Sequence, residues 1–100
     1  MEANTIAKRN DALRASIPCI RHPDVLTLSA GVAALDGDTI GEVLIRVKQF
    51  NDFNPDNDPW HEHDFGAIEH RGQRFFFKID NHKMHGGYRL ILTVMLASEY

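Results

Sequence analysis

The chain has a single cysteine, Cys19, among its 100 residues. No disulfide can form within it, which excludes the cross-linked scaffold of small secreted domains. Cys19 stands between Pro18 and Ile20, with no surrounding motif of a reactive thiol, and is expected to be buried or half-buried. No apolar run reaches the ~18 residues of a membrane span. The opening stretch, MEANTIAKRNDALR, lacks the apolar core of a signal peptide, so the expected location is the cytoplasm. An excess of basic charge is missing as well. Net charge is −3 and the pI about 6.0, which argues against non-specific nucleic-acid binding. There is no glycine-rich phosphate loop, since Gly86-Gly87 reads as a turn pair. Ser16, Ser29 and Ser98 have no nucleophile-elbow context. Nothing here points to catalysis or to a cofactor.

What is present is an ordinary small domain. Hydrophobic content of 43% and charged content of 25% fit a soluble globular chain. Repeats, low-complexity segments and linkers are absent, so residues 1–100 are expected to form one domain with a modest core.

The periodicity predicts a first helix from about Thr5 to Ser16, capped by Asn4 or Thr5 and ended by Pro18. Ile6, Leu13 and Ile17 give it one thin apolar stripe. Val25 to Ser29 alternates as a strand. Ile40, Val43, Leu44, Val47 and Phe50 define a second helix, with Asp38 as N-cap and Glu42 paired to Arg46. Two strands follow, roughly Asp64–His70 and Gln73–Asp80, joined by Arg71-Gly72. NHKMHGG reads as a second turn, and Tyr88–Leu96 as the most strand-like run, expected to be central. The fold class this implies is α+β: two helices packed on one face of a small, mostly antiparallel sheet of about four strands. The expected core is Leu26, Leu28, Val43, Leu44, Val47, Phe50, Phe75, Phe77, Ile79, Leu90, Leu92 and Val94.

Asn51 to Asp64, NDFNPDNDPWHEHD, is the most distinctive segment. It holds Asp52, Asp56, Asp58, Glu62 and Asp64 without a Lys or Arg, and Pro55 and Pro59 stiffen it. Such a loop can hold a cation, present carboxylates to a basic partner, or turn the chain in solvent. Asp52, Asn54, Asp56 and Asp58 occupy positions 1, 3, 5 and 7 of an EF-hand frame. The frame then fails, with Asn57 where glycine is needed and Glu62 one position short of the bidentate ligand. His61 and His63 would share one face of a strand, but their spacing matches no zinc frame. No metal is expected. Trp60, the single tryptophan, either anchors a partner or folds back to cap the core, and capping is the favoured expectation.

The phrases IAKRNDALR, DNDPWHEHDFG, FFFKID and TVMLASEY together resemble a family of small proteobacterial proteins often carried on mobile elements. The resemblance runs over nearly the full length. Members usually carry a small residue where this chain has His61, and a longer segment where it has NHKMHGG. The first departure argues against a family-wide metal site at His61 and His63. The short form is similar to phage-encoded anti-CRISPR proteins that inhibit type I-F systems. That likeness implies binding to Cas proteins of the crRNA-guided surveillance (Csy) complex in the host bacterial cytoplasm, and loss of target DNA engagement. It implies no chemistry, no cofactor, no membrane and no direct nucleic-acid contact. Carboxylates suit a channel lined with the Lys and Arg that read DNA phosphates. Asp56, Asp58, Trp60, Glu62 and Asp64 are accordingly the expected partner contacts. The alternatives are a small metal-dependent enzyme using the acidic and histidine loop, or an accessory protein of a mobile element.

Overall fold

The computed structural model describes residues 3–100. Helix α1 spans Ala3–Ala15 and buries Leu13, while Ile17, just beyond its end, is buried as well. Asn4 and Thr5 lie inside its first turn instead of capping it, and the residue before Ala3 lies outside the described residues. Strand β1 is Val25–Leu28. A single helical turn, α2, follows at Ala30–Ala33, with the Ser29 hydroxyl accepting the Val32 N–H at 3.2 Å. Sequence periodicity cannot reveal so short an element.

Helix α3 is Gly37–Gln49. Its N-cap is Asp36, not Asp38. Asp36 accepts the Thr39 N–H at 2.7 Å and the Thr39 hydroxyl at 3.0 Å, and these bonds hold its pKa below the ordinary value. Asp38 falls in the first turn, where a carboxylate still complements the helix dipole.

The remaining strands are β2, Phe65–His70, β3, Gln73–Met84, and β4, Gly87–Leu96, followed by a 3₁₀ turn at Ala97–Glu99. Arg71 and Gly72 join β2 to β3 with φ of 55° and 76°, the left-handed pair of a two-residue hairpin. The sequence reading ends β3 at Asp80 and makes NHKMHGG a turn. In the structure the ladder continues to Met84 paired with Gly87, and His85-Gly86 alone make the connection. Asn81 to Met84 are all exposed. This part of the hairpin has no buried core to face, so the alternation that marks a strand disappears while the hydrogen bonds persist.

The sheet order is β1-β4-β3-β2, with β1 parallel to β4 and the other pairs antiparallel. The fold is α+β, with three helices and not two among the described residues. Phe75, Phe77 and Ile79 of β3 and Leu90, Leu92 and Val94 of β4 face the helices. They meet Leu13, Ile17, Val32, Val43 and Val47 in one core. Each such side chain contributes about 1.5–3 kcal/mol on burial. Leu26, Leu28, Leu44 and Phe50 are half-buried at its edge. Gly66 of β2 permits one close approach. A Cβ there would stand 2.4 Å from the Phe77 ring and 2.9 Å from the Phe50 ring. On the opposite face Phe65, Phe76 and Tyr100 touch one another, with ring centres 5.0–5.6 Å apart. Among the described residues, no helix is long and apolar enough to cross a membrane.

Candidate partner-binding site

The loop from Asn51 to Asp64 connects α3 to β2, and its own side chains shape it. Asn54 Oδ1 accepts the N–H groups of Asp56 and Asn57 at 2.9 and 3.1 Å. Asn57 returns the bond by accepting the Asn54 N–H at 2.9 Å and donates to the Asp52 carbonyl at 2.8 Å. Asp58 Oδ1 accepts the N–H groups of Glu62 and His63 at 3.0 and 3.2 Å. The Asn54 amide oxygen, the calcium ligand expected at position 3, is thus turned onto the backbone, and the Asp58 carbonyl, the one expected at position 7, accepts the His61 N–H at 3.0 Å. Among the described residues, no three His, Cys, Asp or Glu side chains converge as a metal-ligand set.

Helix α1 clamps this loop against the core. Asn10, itself buried, donates to the Glu62 carbonyl at 2.9 Å. The His63 ring stacks on Phe53, 3.9 Å between centres and nearly parallel. Its Nδ1 lies 2.9 Å from Asp11, and its Nε2 lies 3.6 Å from Asp58 Oδ2. Asp11 in turn holds Arg14 at 2.6 Å. Arg14 is buried and donates to the carbonyls of Val47 and Phe50 at 3.0 and 2.7 Å, closing the C-terminal end of α3. Its guanidinium also lies over the rings of Phe53 and Phe77. Asp11 and Arg14 read in sequence as an ordinary surface pair three residues apart, so nothing marks them as the clamp.

Two sequence expectations for this loop are corrected. His61 and His63 do not sit side by side on a strand. They precede β2, each in the left-handed region with φ of 57° and 55°, a conformation that costs about 1–3 kcal/mol per non-glycine residue. Trp60 does not cap the core. It is 75% exposed, in the turn that the His61 N–H closes onto the Asp58 carbonyl at 3.0 Å.

The expected contact residues therefore separate. Asp56 and Trp60 are exposed. Glu62 and Asp64 are half-buried, bordering a depression of about 360 Å³ shared with Arg9, Asp80 and Asn81. Asp58 is only 4% exposed and its carboxylate faces inward, so it shapes the loop and does not present a surface charge. Cys19, expected to be at least half-buried, is exposed.

A second polar cluster ties α3 to the β2–β3 hairpin. Glu42 and Arg46 do not pair directly; both meet His70. Arg46 Nε donates to His70 Nδ1 at 2.9 Å, which leaves Nε2 to donate to Glu42 at 2.7 Å. That bond first, and the nearby charge of Arg71, hold the Glu42 carboxyl below its ordinary pKa.

A family model described as "Protein of unknown function (DUF3768)" matches residues 28–99. The chain belongs to this family. The DUF3768 match takes in the acidic loop, β2 to β4 and the 3₁₀ turn, but α1 precedes it. The clamp residues Asn10, Asp11 and Arg14 therefore lie outside the matched segment, although they hold the loop inside it. No curated protein and no solved structure matches the chain.

Proposed function

We propose that this protein is a non-catalytic binding inhibitor of the anti-CRISPR kind, which docks on the type I-F crRNA-guided surveillance complex and keeps it from engaging target DNA. One observation carries the reading. The loop commits a buried carboxylate and two left-handed residues to a rigid turn that leaves Trp60 exposed, with Asp56 exposed in the same loop. A rigid loop loses little conformational entropy on binding, and a tryptophan that fills a pocket is a frequent interface hot spot. The exposed carboxylates, with a net charge of −3, complement a channel lined with Lys and Arg. The partner is a Cas protein surface in the host bacterial cytoplasm, and neither a metal nor a cofactor takes part.

Native mass spectrometry of the protein mixed with a purified type I-F complex tests this directly. Stoichiometric binding that blocks target DNA, weakened by Trp60→Ala and by Asp56→Lys, is the expected result. Each loss should amount to about 1–2 kcal/mol or more. No binding to the complex, or binding untouched by both folded variants, removes the proposal.

A further inference from the structure

His63 lies between two carboxylates carried by different parts of the chain. Asp11 of α1 meets its Nδ1, with the two carboxylate oxygens at 2.9 and 3.0 Å. Asp58, earlier in the same loop, has Oδ2 3.6 Å from its Nε2. Phe53 stacks on the ring and fixes its plane, so each nitrogen stays aimed at its own carboxylate.

The two carboxylates are not equally provided for. The Asp11 side chain is 43% exposed and shares Oδ1 with Arg14 at 2.6 Å. The Asp58 side chain is only 5% exposed, and among the described residues the His63 ring is the one group capable of positive charge within ion-pair distance of it. A carboxylate so enclosed needs a counter-charge as well as hydrogen bonds. Arg14 from α1 and Lys48 from α3 line the same depression as the ring, about 370 Å³ in volume, and oppose an added positive charge there. Glu62 and Asp64, its near neighbours in sequence, border the other depression with Arg9.

A neutral imidazole carries one N–H. The close contact with Asp11 takes it at Nδ1, which leaves the Nε2 lone pair facing the Asp58 oxygen. The backbone N–H groups of Glu62 and His63 go to Oδ1, so Oδ2 is then a buried charge without a donor. The imidazolium carries an N–H on each nitrogen and serves both carboxylates at once. Histidine takes up and loses this proton between about pH 5 and 8.

We propose that His63 is a proton-operated latch: protonated, it ties the loop to α1 through Asp58 and Asp11, and neutral, it releases the Asp58 side. Because Asp58 also holds the Glu62 and His63 N–H groups, the proton on the ring reaches the backbone that follows Trp60. The stability supplied by the protonated ring is present in mild acid and is lost as the pH rises past the range in which histidine is charged. The latch is a property of the chain alone and holds whether or not Trp60 meets a partner.

Hydrogen exchange followed by NMR tests the latch between about pH 5.5 and 8, above the range where most carboxylates titrate. After correction for the intrinsic rate, the Glu62 and His63 N–H groups of the parent should be about tenfold better protected at the acid end. The His63 ring should pass from one N–H to two over the same interval, read from its nitrogen shifts. His63→Gln, neutral throughout, should show no change in protection with pH. Asp58→Asn keeps an oxygen for the two N–H groups but no charge for the ring, and should flatten the profile as well. His61 is exposed, so His61→Gln should leave the pH dependence in place. Protection that does not vary with pH in the parent overturns the proposal. So does a pH dependence that survives His63→Gln or Asp58→Asn.

Discussion

Asp58 meets His63 at both its backbone and its ring. One carboxylate oxygen accepts the His63 backbone N–H at 3.2 Å, and the other lies 3.6 Å from Nε2 of the same residue's ring. The pair fixes both the path of the chain after Trp60 and the direction of the imidazole, which Asp11 meets from the other side.

Replacing Asp58 by Ala leaves two loop N–H groups without their acceptor. The expected cost is about 1–3 kcal/mol in urea unfolding, with faster proteolytic cleavage between residues 54 and 63. Asp58→Asn keeps one oxygen and should lose less. An Asp58→Ala protein as stable and as protease-resistant as the parent would show that the loop is held by something else.

Arg14 connects α1, α3 and the loop through one buried guanidinium. Arg14→Met leaves the Val47 and Phe50 carbonyls without this donor and Asp11 with His63 as its remaining partner, and should destabilise by about 2–4 kcal/mol. Arg14→Lys should recover only part of this, because a single ammonium cannot reproduce the planar fork. Equal unfolding midpoints for the Lys variant and the parent would contradict the clamp.

At Gly66 the limit is space. Gly66→Ala drives a methyl group into the Phe77 ring and should cost about 1–3 kcal/mol. The double variant Gly66→Ala, Phe77→Leu should cost less than the sum of the two single changes, measured as a double-mutant cycle. Simple additivity would mean that the backbone shifts instead.

Glu99 anchors the 3₁₀ turn. It accepts from the Ser29 hydroxyl, and from the N–H groups of Leu96 and Gly31 at 2.8 and 2.9 Å. The Ser29 bond first, then the two backbone bonds, lower its pKa from the ordinary glutamate value. A carboxyl whose folded pKa lies below the unfolded one adds stability that is fully present above the ordinary range and is lost as the pH falls through the depressed value. The stability gap between the parent and Glu99→Gln should therefore be widest near neutral pH and shrink on acidification. A gap that does not change with pH would mean that the charged form of Glu99 contributes nothing.

Local pattern determined most of the fold. The stripe through Val43 and Val47, the alternation of Phe75, Phe77 and Ile79, and the Arg71-Gly72 turn each depend on neighbours close in sequence, and each could be read there. Chain entropy and solvent exposure act on such short spans directly, so the α+β architecture follows from them. The tertiary structure decided what depends on distant partners. Asp58 is acidic and flanked by prolines, which reads as surface, yet it is 4% exposed, accepting the Glu62 and His63 N–H groups with the His63 ring beside it. Trp60 reads as core but is turned outward by backbone angles that no residue type announces. The hairpin arm from Asn81 to Met84 lacks a strand pattern, since hydrogen bonds to β4 extend it where there is no core to face. Burial and strand pairing across long separations are set by which surfaces meet, and a side chain's chemistry specifies its partners only once the chain has brought them together.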